Sequence, residues 1–125
     1  MKRIINSSNA PAPIGPYNQA VLVENTLYVS GQIALDTLTG ELEMSDIKTE
    51  TKKVMDNLGA ILNEVGADYS NIVKCSIFVS NMDNFDSINE VYANYFTADF
   101  PARETVEVSC LPKKVNVEIS AIAII

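Results

Sequence analysis

From Val115 to Ile125 the chain alternates with a strictness that only an extended strand can use. Val115, Val117, Ile119, Ala121 and Ala123 share one face, and Asn116, Glu118, Ser120, Ile122 and Ile124 share the other. A period of two belongs to a pleated strand and not to a helix. The first face can pack on helices. The second keeps enough apolar surface that it should not meet water, so association through it is expected.

The rest of the chain supplies partners for that strand. Lys2–Ile5 reads as a short strand. Asn9 to Tyr17 contains Pro11, Pro13, Gly15 and Pro16, which makes it a stiff loop with little freedom to lose. Gln19–Glu24 and Thr26–Gln32 are β-rich runs joined at Glu24-Asn25, a hairpin signal. Gly31, near the end of the second run, allows another group close to the backbone. Asp36 to Gly40 is a turn-rich loop. Asp46 can cap a helix running to about Val65, with Ile47, Val54, Leu58, Ile61, Leu62 and Val65 at helical spacing and Gly66 as the stop. Ile72–Ser80 alternates, putting Val73, Cys75, Ile77 and Val79 on one face. A second helix, from about Asp83, aligns Phe85, Ile88, Tyr92, Tyr95 and Phe96, and Pro101 closes the region. Strands follow at Thr105–Cys110 and Val115–Ile125. The order β-β-β-α-β-α-β-β with an early hairpin rules out a purely parallel sheet. It predicts an α+β fold: a mixed sheet with both helices on one face.

At 125 residues the chain reads as one domain, residues 1–125. Net charge is −7 with only nine Lys and Arg, so nucleic acid is not an expected partner. Cys75 and Cys110 fit no metal spacing, and each lies in an apolar run that suits a buried, reduced thiol. The first residues lack the apolar core of a signal peptide, and no run approaches the ~18 apolar residues of a membrane span. No membrane association and a cytoplasmic location are therefore expected. The chain has no histidine. That removes Ser-His-Asp and Cys-His mechanisms and histidine metal sites, leaving carboxylates, Arg, Lys, Tyr, hydroxyls and backbone groups.

Among these, three residues have both a plain and a chemical reading. Arg103, after Phe100-Pro101-Ala102, is either a solvated cation or a fixed fork for a substrate carboxylate, a task lysine could not reproduce. Glu118, mid-strand on the face away from the core, is either an exposed or ion-paired carboxylate or, if another subunit covers it, a group that orients water and moves its protons. Tyr17 can be a core ring or a rigid wall for a small ligand. Ser30-Gly31 adds little alone.

Several segments together carry a resemblance. Ala12-Pro13-Ile14-Gly15-Pro16-Tyr17, Val29-Ser30-Gly31-Gln32, Phe100-Pro101-Ala102-Arg103-Glu104-Thr105-Val106-Glu107-Val108, Leu111-Pro112-Lys113 and Val117-Glu118-Ile119-Ser120-Ala121-Ile122-Ala123 closely resemble the RidA family of reactive intermediate deaminases, the YjgF-like proteins. Asn57-Leu58 and Asn89-Val91-Tyr92-Phe96 sit where similar helical motifs occur. The likeness implies a chorismate-mutase-like α+β fold assembled as a homotrimer with clefts between subunits. It implies that Arg103 binds an imino-acid carboxylate and Glu118 positions the attacking water. Tyr17, Ser30 and Gly31 would shape the pocket, with backbone groups near Gly31 and Thr105 holding the imine end. Two positions depart from the pattern: Thr105 stands where many relatives have cysteine, and Ser120 where a second glutamate is common.

The expected activity is hydrolysis of 2-aminoacrylate/2-iminopropanoate and 2-iminobutanoate to 2-keto acids and ammonia, with no metal and no cofactor. The alternative is a trimer that binds small carboxylates such as 2-ketobutyrate without turnover. An endoribonuclease, a third option, fits poorly with the acidic composition and the missing histidines.

Overall fold

The alternating C-terminal segment is the strand on which the sheet is built. The computed structural model describes every residue from Met1 to Ile125. It places strands β1 (Lys2–Ile5), β2 (Ala20–Val23), β3 (Thr26–Gln32), β4 (Ile72–Val79), β5 (Ala102–Glu107) and β6 (Val117–Ile124) in one sheet. Two helices, α1 (Ile47–Glu64) and α2 (Phe85–Ala93), complete the fold. The strand order is β1-β2-β3-β6-β4-β5. Strand β6 pairs antiparallel with β3 on one side and β4 on the other, and β4 pairs parallel with β5 at the edge. The architecture is the expected α+β mixed sheet.

Side-chain alternation along β6 sorts the two layers. Val117, Ile119, Ala121 and Ala123 are buried with Leu58, Ile61 and Leu62 of α1 in one core. Full burial of each large aliphatic side chain is worth ~1.5–3 kcal/mol, which outweighs any local propensity. Helix α1 begins where its cap predicts: the Asp46 carboxylate accepts from the Thr49 N–H at 2.8 Å. It ends before Gly66, whose φ of +71° suits the left-handed stop. Both helices lie over the same face. The other face is uncovered and carries Tyr28 (51% exposed), Val106 (41%) and Ile124 (43%).

Four expectations need correction. The fifth strand begins at Ala102 rather than Thr105 and ends at Glu107. Its charged Arg103 and Glu104 are tolerated because it is an edge strand. Val73 does not share a face with Cys75, Ile77 and Val79: the register with β6 shifts between Ile72 and Lys74, so Ile72 is buried and Val73 is 46% exposed. Helix α2 stops at Ala93, so Tyr95 and Phe96 reach the aromatic cluster from the turn beyond it. Cys75 is buried, but Cys110 is exposed.

One buried charge was not foreseen. Glu50, on α1, is fully buried and accepts from both the backbone N–H and the side-chain amide of Asn116, each at 2.8 Å. These bonds tie the helix to the residue just before β6, two positions ahead of Glu118. No helix of the protein is long and apolar enough to cross a membrane.

Candidate active site

The residues singled out from sequence fall into two groups, and the sheet separates them. In a parallel pair, residues in register share a face. Arg103 is in register with Cys75 and Thr105 with Ile77, both core residues, so Arg103 and Thr105 lie on the helix-covered side at the sheet edge. Glu118 is in register with Phe78 on the uncovered face. Strand β4 stands between β6 and β5, which adds about 10 Å of lateral separation at ~4.8 Å per strand. Within one chain Arg103 and Glu118 do not meet.

The Glu118 group is built around a bulge. The register between β3 and β6 shifts between Val29 and Gln32, and Ser30-Gly31 occupies the irregularity. Ser30 is fixed there: its N–H donates to the Gln19 carbonyl at 2.9 Å and its hydroxyl to the Asn18 carbonyl at 2.6 Å. Gly31 is the group that lets Glu118 in. A Cβ on Gly31 would overlap Glu118 Oε2 and come within 2.7 Å of its Cδ. Glu118 has no ion-pair partner, and burial raises its pKa above the ordinary glutamate value of 4.5. A carboxylate with this environment is a better proton acceptor than a solvated one.

Tyr17 joins this group through the proline-rich loop, which is stiffened from inside by Gln19. The buried Gln19 amide donates to the carbonyls of Ser7, Ala10 and Pro11, and its oxygen accepts from the Ser7 N–H at 2.6 Å. Tyr17 is 48% exposed, a wall and not a core ring. With Gly31 and Ile14 it lines a hollow of about 40 Å³, room for little more than water in the isolated chain. Asn57 of α1 donates to the Ile33 and Leu35 carbonyls, fixing the chain just beyond Gly31.

The Arg103 group sits at the far edge. Its guanidinium donates to Asn89 Oδ1 at 2.6 Å and lies 5.2 Å from the Tyr92 ring centroid and 5.6 Å from that of Phe85. No carboxylate pairs with it. The fork is therefore oriented by neutral and aromatic neighbours while its positive charge stays uncompensated. Beside it a cavity of about 260 Å³ is lined by Asn89, Tyr92, Ala93, Phe100, Pro101 and Arg103. Thr105 Oγ1 and the Tyr92 hydroxyl are both buried without a hydrogen-bond partner. The Cys75 thiol is close enough to act on the Tyr92 hydroxyl, but a thiol is a poor hydrogen-bond partner. Unsatisfied buried hydroxyls are uncommon, and two of them fall on Thr105, on the same strand face as Arg103, and on Tyr92, whose ring lies against the guanidinium.

Asn89 and Tyr92 are the neighbours of Arg103 that sequence reasoning did not assign to the site. Asn89 lies fourteen residues from Arg103, with no local spacing to connect them. The one available signal is a polar residue one position from the buried Ile88 on the helix that carries Phe85 and Tyr92.

One consequence can be measured at once. Gly31→Ala must push the Glu118 carboxylate out of place, since the added Cβ would overlap Glu118 Oε2 and crowd its Cδ and Cγ. We expect kcat for any reaction using Glu118 to fall at least about tenfold, because an ångström of misplacement is costly in a positioned site. Thermal unfolding should move by only a few degrees. An alanine variant with wild-type kcat would show that Glu118 need not lie where it does.

Comparison with known proteins places the chain. Residues 7–125 match the endoribonuclease L-PSP family. A human protein named 2-iminobutanoate/2-iminopropanoate deaminase is 42% identical over 124 residues, covering 99% of this chain and 90% of the human one. The crystal structure of the Escherichia coli YjgF gene product superposes with a TM-score of 0.93 at 42% identity, covering 98% of each chain. That of Escherichia coli TdcF with bound serine gives 0.94 at 36% identity, again over 98% of each. The aligned length takes in both groups of candidate residues, from Tyr17 to Glu118. The chain belongs to the endoribonuclease L-PSP family, the family of the RidA and YjgF proteins.

Proposed function

We propose that this protein is a 2-iminobutanoate/2-iminopropanoate deaminase, hydrolysing 2-imino acids and their enamine forms to 2-keto acids and ammonia. The observation that carries the reading is the Arg103 guanidinium, oriented by Asn89 and two rings and left without a carboxylate of its own. The human relative's name points to the same chemistry.

A protonated 2-imino acid is already electrophilic at C2. Arg103 holds its carboxylate through two parallel N–H···O bonds. Glu118 orients a water and takes one of its protons as the oxygen adds to C2, giving a carbinolamine. The proton passes from Glu118 to nitrogen; as the C–N bond breaks, Glu118 takes the hydroxyl proton, the C=O of the keto acid forms, and ammonia leaves, carrying that proton away as ammonium. Positioning and acid–base assistance suffice, the latter worth on the order of 10²–10⁴-fold. Tyr17 and Ser30 shape the pocket, and backbone groups near Gly31 and Thr105 hold the imine end.

Since Arg103 and Glu118 lie on opposite faces of one sheet, a substrate of a few carbon atoms cannot touch both in one chain. A cleft between neighbouring copies brings the two groups together, and the exposed Tyr28, Val106 and Ile124 supply apolar surface for the contact. A homotrimer is the expected assembly, and a cyclic ring gives each copy one Arg103 edge and one Glu118 face to share. Native mass measurement should return three times the chain mass; a monomer would leave the substrate without a site.

The activity itself is tested by a coupled assay. A pyridoxal-phosphate-dependent dehydratase generates the imine, and keto-acid release is followed with and without this protein. Faster release is expected. A rate equal to the uncatalysed decay, with 2-ketobutyrate still bound, would make the protein a carboxylate sensor instead. RNA hydrolysis is opposed by the net charge of −7 and the absence of histidine.

A further inference from the structure

The connection between β5 and β6 holds a cation in an unfavourable backbone. Lys113 and Lys114 both adopt left-handed conformations, with φ of 55° and 58°, in a 3₁₀ turn that begins at Pro112. Residues with a Cβ enter this region at a cost, and two lysines in succession do so only when their surroundings hold them there. The turn is anchored by the Lys114 N–H on the Leu111 carbonyl at 2.9 Å, between the buried Leu111 and Val115. The result is that Lys113 lines the same hollow as Tyr17 and Gly31. Gly31 is the residue against which the Glu118 carboxylate lies.

Charge makes this placement consequential. Lys48, Lys52, Lys53 and Lys74 each pair with a carboxylate, whereas Lys113 pairs with none. A substrate that carries a carboxylate must approach Glu118 on a chain of net charge −7. Like charges repel along that path, and a cation at the rim of the hollow offsets the repulsion.

We propose that Lys113 is a steering residue for the anionic substrate: its ammonium contacts the incoming carboxylate on the Glu118 side of the site, before Arg103 takes it up. This rests on the deaminase reading above. An exposed ammonium acts through solvent and is screened over ~8 Å at physiological salt, so its effect belongs to kcat/KM and to low ionic strength. It does not belong to kcat.

Lys113→Gly and Lys114→Gly form a matched pair. Each removes one charge and one left-handed side chain, so neither endangers the fold, but only Lys113 lines the hollow. In the coupled imine assay at low salt, Lys113→Gly should lose about fivefold to tenfold in kcat/KM with kcat within about twofold. The loss should shrink as salt is raised, and Lys113→Arg should restore most of it. Lys114→Gly should stay close to wild type. Equal kcat/KM for the two glycine variants, or a loss that ignores salt, overturns the proposal. If the wild-type protein leaves imine decay unchanged, the deaminase reading fails, and calorimetric titration of the same variants with 2-ketobutyrate decides on Lys113. Weaker, salt-sensitive binding by Lys113→Gly alone upholds it, and identical affinities reject it.

Discussion

Arg103→Ala lowers kcat/KM for imine hydrolysis by at least about a hundredfold, and Arg103→Lys recovers little of the loss. Removing one partner of a desolvated, hydrogen-bonded charge pair typically costs ~2–5 kcal/mol, and each ~1.4 kcal/mol is a factor of ten. The lysine variant keeps the charge. It cannot keep the geometry, because the guanidinium here donates sideways to Asn89 at 2.6 Å while lying against Phe85 and Tyr92. An ammonium offers one point charge in place of a fork with an edge to spare. The variants should fold, since Arg103 makes no ion pair and sits on an edge strand. Keto-acid release from a freshly generated imine measures the effect. Wild-type rates in the alanine variant would remove Arg103 from the site.

Glu118→Gln has the second large effect, and pH separates it from a structural one. Glutamine keeps the size and hydrogen-bonding oxygen but cannot accept the water's proton, so kcat should drop on the order of 10²–10³-fold. Burial raises the Glu118 pKa above 4.5, and the active form is the carboxylate. Wild-type activity is therefore present above the raised pKa and lost as pH falls through it, so the acid limb of the profile lies above the ordinary glutamate range. In the glutamine variant that limb disappears. Stability moves the other way. A carboxyl whose folded pKa is raised favours folding only below its unfolded value, and that contribution is lost as pH rises through the folded value. At neutral pH Glu118→Gln should thus be at least as stable as wild type. A variant that loses activity and unfolds at lower temperature would point to a structural glutamate.

Much of the fold was legible because its signals are local. Asp46, the stripe from Ile47 to Val65, and Gly66 define α1 almost to the residue, since capping, amphipathic spacing and a left-handed stop are each short-range. The alternation of β6 likewise told which side of each residue meets the core. What escaped was set by pairing. Strand β5 begins three residues earlier than the sequence predicts, because Arg103 and Glu104 do not read as strand residues until the edge position beside β4 is known. Val73 leaves the face its spacing predicts because of a bulge that exists only relative to β6. Glu50 could have been found: it falls three residues after Ile47 and four before Val54, on the buried stripe, and an acid there needs donors.

The site divides along the same line. Ser30 and Gly31 share one bulge, with Glu118 against Gly31 and Tyr17 lining a hollow with it, while Arg103 and Thr105 share one face of β5. That a whole sheet thickness separates the two groups is a property of the register, which no single segment encodes. Asn89, which orients Arg103, comes from a different element altogether.

The central claim is that a guanidinium from one copy and a carboxylate from the next serve a single substrate. It is tested most directly by mixing two dead proteins. Arg103→Ala and Glu118→Gln, each inactive alone, are unfolded together and reassembled. Random exchange around a three-membered ring should restore roughly a quarter of wild-type activity, because every mixed ring keeps one cleft with both native groups. Mixed rings, verified by native mass, that remain inactive would contradict the account.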